Sequence, residues 1–304
     1  MTIAITGATG FVGSHVLNAA ASAGVPVRAL ARQAQAARDG VTWVKGTLDD
    51  AAALDALCTG ASAVIHIAGA VNVPSRAAFA AANIAGTRAV VDAAARAGVA
   101  RFVHVSSLAA REPALSNYGW SKAGAEDAVR AAPLAWAIVR PPGVYGPRDR
   151  DMLELFAMAQ RGFILLPPSG RGSWIHAEDL AALLVTLATT TAFPCRGLFE
   201  VDDGSAGGQS HRDMGAAIAA AVGKPRAVRV SAPRPLLKLA AHGDRLARRD
   251  KAKLTPDRAA YMAHPDWVSD PAKRPDPALW RPKIAFAEGL ASTAAWYRAA
   301  GWLR

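Results

Sequence analysis

The chain has 304 residues, of which 52% are hydrophobic, and its formal net charge is +11 at pH 7. A chain of this length and hydrophobicity buries a substantial core, which excludes a disordered protein and favours one large α/β domain with a smaller appendage. The two cysteines, Cys58 and Cys195, are far apart and lack the spacing of metal ligands, so we expect reduced, buried thiols and no metal site.

The first predicted element is a short strand, Ile3-Ala4-Ile5, that runs into a glycine turn and then a helix. Glycines allow the turn to be tight, the backbone to approach a phosphate and the helix to pack closely on the strand. The helix N-terminus then offers N–H groups to an anion, so this order of elements is typical of a site for the pyrophosphate of a dinucleotide. The predicted cofactor-binding residues of this turn are Gly7, Thr9, Gly10, Phe11, Val12 and Gly13.

Further strand-like runs alternate with alanine-rich helical segments such as residues 79–97. This alternation predicts an α/β fold of the Rossmann type, a doubly wound parallel sheet covered by helices on both faces. After about Pro141, proline- and glycine-rich pieces separate shorter helices, as in a smaller C-terminal substrate-binding region. We expect a dinucleotide-binding domain over residues 1–165, with some later segments returning to it, and a mainly substrate-binding, basic region over 166–304. The predicted strands after the first are residues 25–31, 41–45, 63–67, 101–106 and 136–139.

Tyr118 and Lys122 are four residues apart in a predicted helix, so both project from one face. An ammonium close to a phenol favours the phenolate and so lowers the pKa of the phenol. A tyrosine tuned in this way donates or accepts a proton at neutral pH. Upstream, Ser106 and Ser107 lie at the end of a predicted strand, the edge where doubly wound sheets hold ligands, so one hydroxyl is placed to hydrogen-bond a substrate carbonyl.

Together, the glycine turn, the strand-end serines and the Tyr-x-x-x-Lys pair resemble the extended short-chain dehydrogenase/reductase family, which is the NAD(P)-dependent epimerase/dehydratase superfamily. The resemblance covers nearly the whole chain, and keto-lipid, 3β-hydroxysteroid and dihydroflavonol-type reductases are the nearest in character. Further matching segments are residues 64–69 (VIHIAG), 83–87 (NIAGT), 140–147 (RPPGVYGP), 174–180 (WIHAEDL) and the tail 288–302.

What the resemblance implies is an enzyme with a catalytic triad of Ser107, Tyr118 and Lys122. Ser107 is preferred because the family's catalytic hydroxyl usually ends the short Ser-Ser run, and Ser106 is the alternative. In the family's mechanism a nicotinamide passes hydride to or from a carbonyl carbon, the tyrosine handles the proton of the oxygen, and the lysine also holds the nicotinamide ribose. The other implied cofactor contacts are Leu48, Ala68, Pro141 and Val144.

The end of the second predicted strand bears on the choice between NADP(H) and NAD(H). NAD sites place an acidic residue about 20 residues after the glycine turn to bind the ribose 2′-OH, whereas an arginine there suits the 2′-phosphate of NADP. Here the expected acidic position is Ala31 and Arg32 follows it, so we predict a preference for NADP(H). Leu48 is expected to pack on the adenine, although Thr47 stands where the family often has an aspartate.

Two features favour an apolar ketone over a nucleotide sugar. Sugar-nucleotide enzymes of the family commonly carry an arginine shortly before the segment that begins at Trp174, whereas this chain has Gly172-Ser173, with Arg171 close by. The stretch between Ser107 and Tyr118 is also short and offers little polar equipment for a sugar. It contains Leu108, Ala109, Ala110 and Leu115.

We therefore predict an NADP(H)-dependent oxidoreductase that reduces a ketone on a bulky apolar or lipid-like substrate, such as a 3-oxo sphingolipid or ceramide. The first alternative is a nucleotide-sugar epimerase or dehydratase. The second is a non-catalytic, cofactor-binding accessory subunit, which the intact Ser107, Tyr118 and Lys122 disfavour. Tyr145, Trp174 and His176 either line a substrate pocket or simply pack, and the oligomeric state is left open.

Most of the excess positive charge lies near the C-terminus, since residues 224–283 contain fifteen basic and six acidic residues. A helix over residues 235–249 would place apolar residues near one face and basic residues largely elsewhere. Such a helix either lies on an anionic bilayer or packs its apolar face on the core. Nucleic acid is disfavoured because no aromatic platform accompanies the charge. The apolar set is Leu236, Leu239, Ala240 and Leu246, and the basic set is Lys238, Arg245, Arg248 and Arg249.

The sequence contains no apolar run of about 18 residues or more that could span a bilayer. Because the glycine turn begins so early, we expect no signal peptide. We therefore expect a cytoplasmic location. Whether residues 224–283 also attach the protein to the inner face of the membrane is left open.

Overall fold

The computed structural model describes residues 1–248 and 254–304, so Arg249, Asp250, Lys251 and Lys253 of the basic segment lie outside the described residues. Within these ranges the helices are α1 (Phe11–Ser22), α2 (Ala51–Cys58), α3 (Arg76–Phe79), α4 (Gly86–Arg96), α5 (Asn117–Arg130), α6 (Leu153–Gln160), α7 (Ala177–Thr189), α8 (His211–Ala221), α9 (Arg234–Arg248), α10 (Pro256–Met262) and α11 (Phe286–Ala299). A π-helical segment (Ala80–Ala85) joins α3 to α4, and 3₁₀ turns lie at Leu108–Arg111 and Pro271–Lys273.

The strands of the described ranges are mostly short and are distributed along the whole chain. They are β1 (Ile3–Thr6), β2 (Val27–Ala31), β3 (Val41–Lys45), β4 (Ala63–His66), β5 (Arg101–Val105), β6 (Trp136–Arg140), β7 (Gly143–Tyr145), β8 (Phe163–Leu166), β9 (Arg171–Gly172), β10 (Trp174–His176), β11 (Gly197–Glu200), β12 (Gln209–Ser210), β13 (Val228–Ser231) and β14 (Asp266–Trp267).

Seven parallel strands form the central sheet, in the order β11-β6-β5-β4-β1-β2-β3. The strand order runs away from β1 in both directions, so the carboxyl ends open a crevice between β1 and β4, where such sheets hold their ligands. The predicted Rossmann-type sheet is confirmed, and its first six strands begin and end within two residues of the predicted runs. The edge strand β11 was not predicted, because Gly197–Glu200 is short and follows a proline-containing loop.

Local side chains determine where the helices of this region begin. Asp50 accepts a hydrogen bond from Ala53 N–H at the start of α2, and Ser116 accepts one from Gly119 N–H at the start of α5. The single helix predicted over residues 79–97 is instead α3, a π-helical segment and α4. A π-helical turn inside a helix frequently marks a functional position.

The described chain divides into two units. Unit 1 comprises Met1–Arg140, Leu180–Glu200 and Lys273–Trp280 and contains the central sheet, and unit 2 comprises Pro141–Asp179, Val201–Ala272 and Arg281–Arg304. The sequence places the boundary near residue 165, whereas the chain leaves the central sheet after Arg140, because β7 pairs with β10. The apolar core of unit 2 is built around Tyr145, Phe156, Leu290 and Tyr297.

Two further expectations concern membrane spans and thiols. Among the described residues, no helix combines the length and the apolar content needed to cross a bilayer. Cys58 is buried, and burial raises the pKa of its thiol to about 11. Cys195 is exposed, so the expectation of two buried thiols is wrong for this residue. It lies in the loop between α7 and β11, and connecting loops run over the surface.

Candidate active site

The glycine turn brings backbone segments so close together that side chains would not fit between them. Gly7 has a φ of 76°, and a Cβ added there would lie 2.7 Å from Ala68 N. A Cβ on Gly13 would lie 2.1 Å from Gly7 O. Gly10 precedes α1, is exposed and has no side chain to cap the first-turn N–H groups. The turn therefore has the bare backbone and the helix N-terminus that a pyrophosphate requires.

Polar side chains form a row across β1, β4 and β5 at the carboxyl end of the sheet. Thr6 Oγ1 and His66 Nδ1 are 2.6 Å apart, and His66 Nε2 lies 2.9 Å from Thr87 Oγ1. The ring of His104 stacks on that of His66 with a centroid distance of 5.3 Å. Burial, assisted by the charge of Lys122, lowers the pKa of His66 to about 3 and holds that of His104 well below its ordinary value. Both imidazoles are therefore neutral at pH 7 and act as packing and positioning groups.

Asn83 ties the loop after β4 to helix α5. Its Oδ1 accepts from Ala70 N at 2.6 Å, and its Nδ2 donates to Ala70 O at 3.0 Å and to Ser121 Oγ at 2.8 Å. The same loop is held to β1 by Ala68 N–H, which donates to Thr6 Oγ1 at 3.3 Å. No role was predicted for Asn83 from the sequence. The available signal was an amide within an otherwise apolar helical segment, where it needs buried partners.

Helix α5 carries Tyr118 in its first turn and brings Lys122 to the carboxyl end of β5. Its close packing depends on Gly119, where an added Cβ would lie 2.6 Å from the O of Ala109 in the 3₁₀ turn that follows Ser107. Lys122 Nζ donates to Val105 O at 2.8 Å, two residues before Ser107. The three residues predicted as a triad therefore belong to one edge of unit 1. Ser107 and Tyr118 are half-buried and Lys122 is 5% exposed.

The charge of Lys122 is set by two opposing effects. Burial lowers the pKa of its ammonium to about 8, and the Glu126 carboxylate, one turn further along α5, opposes this change. Lys122 is therefore mainly protonated at pH 7 and loses its proton at mildly alkaline pH. A buried ammonium of this kind favours the anionic form of a neighbouring phenol.

Ser106 and Ser107 differ in burial and in hydrogen-bond partners. Ser106 is 4% exposed, and its hydroxyl donates to Glu126 Oε1 at 2.6 Å. Ser107 is half-buried, and its Oγ accepts from Ala109 N at 3.2 Å as the N-cap of the 3₁₀ turn. A serine hydroxyl that accepts in this way still has its own proton to donate. Ser107 is therefore the serine whose geometry suits a substrate oxygen.

A buried ion network beneath α5 was not predicted from the sequence. Glu126 is fully buried, and its carboxylate accepts two hydrogen bonds of 2.7 Å from Arg140 and one of 2.7 Å from Arg130. Arg140 also pairs with buried Glu200 at 3.5 Å. Burial alone would raise the pKa of Glu126, but the hydrogen bonds from Arg140 and Ser106 hold it below its ordinary value. The available signal was the four-residue spacing that places Glu126 on the Lys122 face of α5.

The two arginines of the second strand region differ in their surroundings. Arg28 Nη1 donates to Leu57 O at 3.3 Å and also to Thr59 O, so its guanidinium is held by backbone carbonyls. Arg32 directly follows β2 and is exposed. Arg32 is thus the arginine with a side chain available for a ligand at the end of β2.

The expected adenine contact, Leu48, is half-buried against α4, where a Cβ on Gly86 would lie 2.9 Å from Leu48 Cδ1.

A family model described as the NAD dependent epimerase/dehydratase family matches residues 3–196. The chain belongs to this family. It is 41% identical over 313 residues to a ceramide reductase of Caulobacter vibrioides, covering 99% of this chain and 96% of that protein. It is 27% identical over 339 residues to a dTDP-glucose 4,6-dehydratase of Streptomyces antibioticus, covering 98% and 92%. It is also similar in fold to Bordetella bronchiseptica WbmG in complex with NAD and UDP, with a TM-score of 0.76, 22% identity and coverage of 99% and 96%.

Membership of the epimerase/dehydratase family confirms the predicted enzyme class, an NAD(P)-dependent oxidoreductase of the extended short-chain dehydrogenase/reductase type. The glycine turn fits the dinucleotide that this family uses. Two of the expected cofactor contacts, Pro141 and Val144, belong to unit 2. There Pro141 is buried, and Val144 of β7 is half-buried opposite Ile175 of β10.

For this family member, the open roles of Tyr145 and His176 are packing roles. Tyr145 is fully buried, and its ring lies 5.4 Å from the rings of both His176 and Phe286. Its hydroxyl donates to Phe286 O at 3.4 Å. Burial, reinforced by nearby carboxylates, raises the pKa of Tyr145 above its ordinary value. Tyr145 therefore belongs to the core of unit 2.

Of the two sequence features that favoured an apolar substrate, the lack of an arginine for nucleotide phosphates keeps its weight, and the apolar stretch after Ser107 does not. The guanidinium of Arg171 donates to Gly207 O at 2.8 Å and to Gly208 O at 2.9 Å, so this arginine is bound to a backbone turn. In contrast, the apolar residues after Ser107 face inward. Leu108, Ala109 and Ala110 are 2%, 7% and 4% exposed. Their apolar character serves packing and carries no information about the substrate.

Proposed function

We propose that this member of the epimerase/dehydratase family is an NADP(H)-dependent reductase of a ketone on a lipid-like substrate, and that the ketone is that of a 3-oxo ceramide or a related 3-oxo sphingolipid. The observation that carries this proposal is the 41% identity to a ceramide reductase, which extends over 99% of this chain. The engaged side chain of Arg171 supports it, because a nucleotide-sugar enzyme would need a cation near that position for the phosphates.

The proposed chemistry assigns one task to each residue of the triad. NADPH, when bound, supplies the hydride that reduces the carbonyl carbon. Ser107 donates its hydroxyl proton in a hydrogen bond to the ketone oxygen and so orients it. Tyr118 transfers its phenolic proton to that oxygen, which turns the ketone into a secondary alcohol. Lys122, held by Val105 O, stabilises the phenolate left on Tyr118 until a solvent proton replaces the one transferred.

The following residues of unit 1 would hold the cofactor. The glycine turn from Gly7 to Gly13 would bind the pyrophosphate with backbone N–H groups, and Leu48 would pack on the adenine. Arg32, exposed at the end of β2, would pair with the 2′-phosphate that distinguishes NADP from NAD. Lys122 would bind the nicotinamide ribose. The remaining assigned contact in unit 1 is Ala68.

The second candidate function is a nucleotide-sugar epimerase or dehydratase, which the 27% identity to a dTDP-glucose 4,6-dehydratase favours. Such an enzyme would keep its cofactor through the reaction and show no net consumption of it. A non-catalytic accessory subunit is the weaker alternative, because such a protein has no need for Ser107, Tyr118 and a buried Lys122 together.

The test is NADPH oxidation by the purified chain, followed optically with detergent-dispersed 3-oxo ceramides, polycyclic ketones and UDP- or dTDP-sugars, with NADH in parallel. We expect net oxidation with the 3-oxo lipid, and faster oxidation of NADPH than of NADH at equal concentration. Conversion of a nucleotide sugar without net oxidation would contradict the proposal and establish the second candidate. Inactivity towards every compound, by a protein that binds NADPH, would instead indicate the accessory subunit.

A further inference from the structure

The strand pair β8 and β13 presents an apolar face to solvent. Phe163 and Leu165 of β8 are 45% and 47% exposed, and the residues opposite them in β13, Val228 and Val230, are 62% and 50% exposed. The alternate residues of β8 face the core of unit 2. A strand with apolar residues on both faces is typical of a strand that is covered on both faces. Exposed apolar patches of this kind mark interaction sites.

Helix α9 also presents three leucines to solvent. Leu236, Leu239 and Leu246 are 52%, 70% and 82% exposed, and the helical repeat places them in a sector about 80° wide. The opposite side carries Ala241, which is fully buried and packs with Ala259 of α10. A surface helix of a globular protein normally turns its larger apolar residues inward. Here the alanine faces the protein and these three leucines face out, so packing on the core does not explain them.

These two features are adjacent in the chain. Ala232 N–H donates to Leu166 O at 2.9 Å and so extends the ladder between β8 and β13 by one residue. α9 begins at Arg234, two residues later, so its first residue lies within about 8 Å of the end of the ladder. We call the seven exposed side chains the apolar surface. They are Phe163, Leu165, Val228, Val230, Leu236, Leu239 and Leu246.

Positive charge flanks the apolar surface. Arg161 precedes β8 and Lys224 and Arg226 precede β13, and all three are exposed. Residues 161–166 and 224–232 contain no acidic residue. The longer segment 224–283 has fifteen basic residues against six acidic ones. An apolar surface with a basic border matches the interface of an anionic bilayer, where apolar side chains enter the acyl boundary and cations meet the headgroups.

We propose that unit 2 docks on anionic phospholipid bilayers through the apolar surface, with Arg161, Lys224 and Arg226 bound to lipid headgroups. A second copy of this chain fits less well, because a two-fold interface would bring the basic borders of both copies together without acidic partners. This docking surface goes beyond the ketone reduction proposed above and does not depend on it. Its test therefore measures binding and not turnover.

The first experiment is flotation of the full chain with phosphatidylcholine vesicles, with and without phosphatidylglycerol. We expect the protein to float with the phosphatidylglycerol vesicles, to remain largely unbound with phosphatidylcholine alone, and to be released by added salt. Failure to float with the anionic vesicles, or equal flotation with both kinds, would overturn the proposal.

Two double variants test the two parts of the surface. Lys224→Glu with Arg226→Glu should weaken partitioning to anionic vesicles by at least about twentyfold, since each cation near such a surface contributes about fivefold. Leu239→Glu with Leu246→Glu should weaken it by about tenfold or more, because leucine side chains no longer enter the bilayer. Circular dichroism checks the fold. If the leucine pair does not fold, Leu246→Glu alone is used, because it is 82% exposed.

Matched controls lie in unit 1. Lys45→Glu with Arg88→Glu makes the same change in net charge at exposed positions, and Val71→Glu alters an apolar residue that is 64% exposed. We expect both controls to float like the unaltered chain. If they lose binding as strongly as the variants of the apolar surface, the docking site is wrong.

Sedimentation velocity without lipid tests whether a second copy of this chain, and not a bilayer, covers the apolar surface. We expect the oligomeric state to be the same for the unaltered chain and for the leucine double variant. If the unaltered chain is a dimer and the variant a monomer, the apolar surface is an interface between copies and the bilayer proposal is overturned.

Discussion

Helices α5 and α9 are nearly equal in length and depart from the usual helix pattern in opposite ways. α5 buries charged residues, with Lys122 5% and Glu126 0% exposed, whereas α9 exposes leucines, with Leu239 70% and Leu246 82% exposed. Ordinary surface helices turn apolar residues inward and charges outward. Departures from a local rule that nothing else in the fold explains are expected at functional sites. These opposite departures support the proposals that α5 contributes a reaction site and α9 part of a docking site.

We expect the largest effect on kcat from the substitution of Tyr118, the tyrosine of α5. Tyr118→Phe removes the group proposed to give its proton to the ketone oxygen, and loss of a general acid lowers turnover by about 10²- to 10⁴-fold. We expect kcat for ketone reduction to fall within that range, while the dissociation constant of NADPH changes little. Steady-state kinetics and fluorescence titration measure the two quantities.

Tyr261→Phe is the matched control, since Tyr261 lies on α10 in unit 2. It should retain the turnover of the unaltered chain. Full activity of the Tyr118 variant would contradict the assigned proton transfer.

The second effect is on the pH dependence of the free energy of unfolding, because the buried carboxylates of units 1 and 2 differ in protonation. Glu126 in unit 1 is held ionised by Arg140 and Arg130, whereas in unit 2 burial raises the pKa of Asp149 to about 7. Folded Asp149 therefore keeps a proton from about pH 4 to 7 that the unfolded chain releases, so the free energy of unfolding falls as pH rises through this window. The loss amounts to at most about 4 kcal/mol, at about 1.4 kcal/mol per pKa unit.

Asp149→Asn should remove this part of the pH dependence, and urea unfolding at pH 4.5 to 8 measures it. The substitution of an exposed aspartate, Asp92→Asn, should leave the slope unchanged. A slope that is the same in the Asp149 variant and in the unaltered chain would show that burial does not shift this carboxyl.

A third, smaller effect concerns the two arginines of the second strand region. Arg28 is held by backbone carbonyls and Arg32 is exposed, so of these two arginines Arg32 is the one proposed to meet the 2′-phosphate. Arg32→Ala should weaken NADPH binding by about ten- to a hundredfold, the value of one charge-assisted hydrogen bond, and leave NADH binding unchanged. Calorimetric titration with both cofactors measures this. Arg38→Ala, which removes a 2.7 Å bond to Asn18, is the control. Equal weakening for NADH would contradict the role of Arg32.

The smallest effect is a change in pH profile caused by Glu126. The pKa of Lys122 is about 8, so kcat/KM for reduction should fall as pH rises through this value and the ammonium is lost. Glu126→Gln removes the carboxylate that favours the ammonium, so the fall should move to lower pH by up to about one unit. Ser106→Ala keeps the carboxylate and should leave the position of the fall unchanged. An unshifted fall in the Glu126 variant would show that this network does not act on Lys122.

The sequence predicted those parts that depend on local pattern. The strand, turn and helix at Gly7 and the pair Tyr118 and Lys122 are visible because their spacing within one element is itself the signal. Contacts between distant segments were not predicted. The bond from Asn83 to Ser121 and the pairing of Arg140 with Glu200 depend on which strands and helices become neighbours. Whether the leucines of α9 face inward or outward was equally undetermined, because an amphipathic pattern does not specify what covers it.

The most direct test of the central claim follows one hydrogen. NADPH carrying deuterium at the transferred position of the nicotinamide is incubated with the chain and a 3-oxo ceramide, and the lipid product is examined by mass spectrometry and NMR. We predict one deuterium on the carbon that bears the new hydroxyl, formed in equal amount to the NADPH consumed, and almost none with Tyr118→Phe. Recovery of an unlabelled ketone, with bound cofactor that turns over only when a nucleotide sugar is added, would contradict the account.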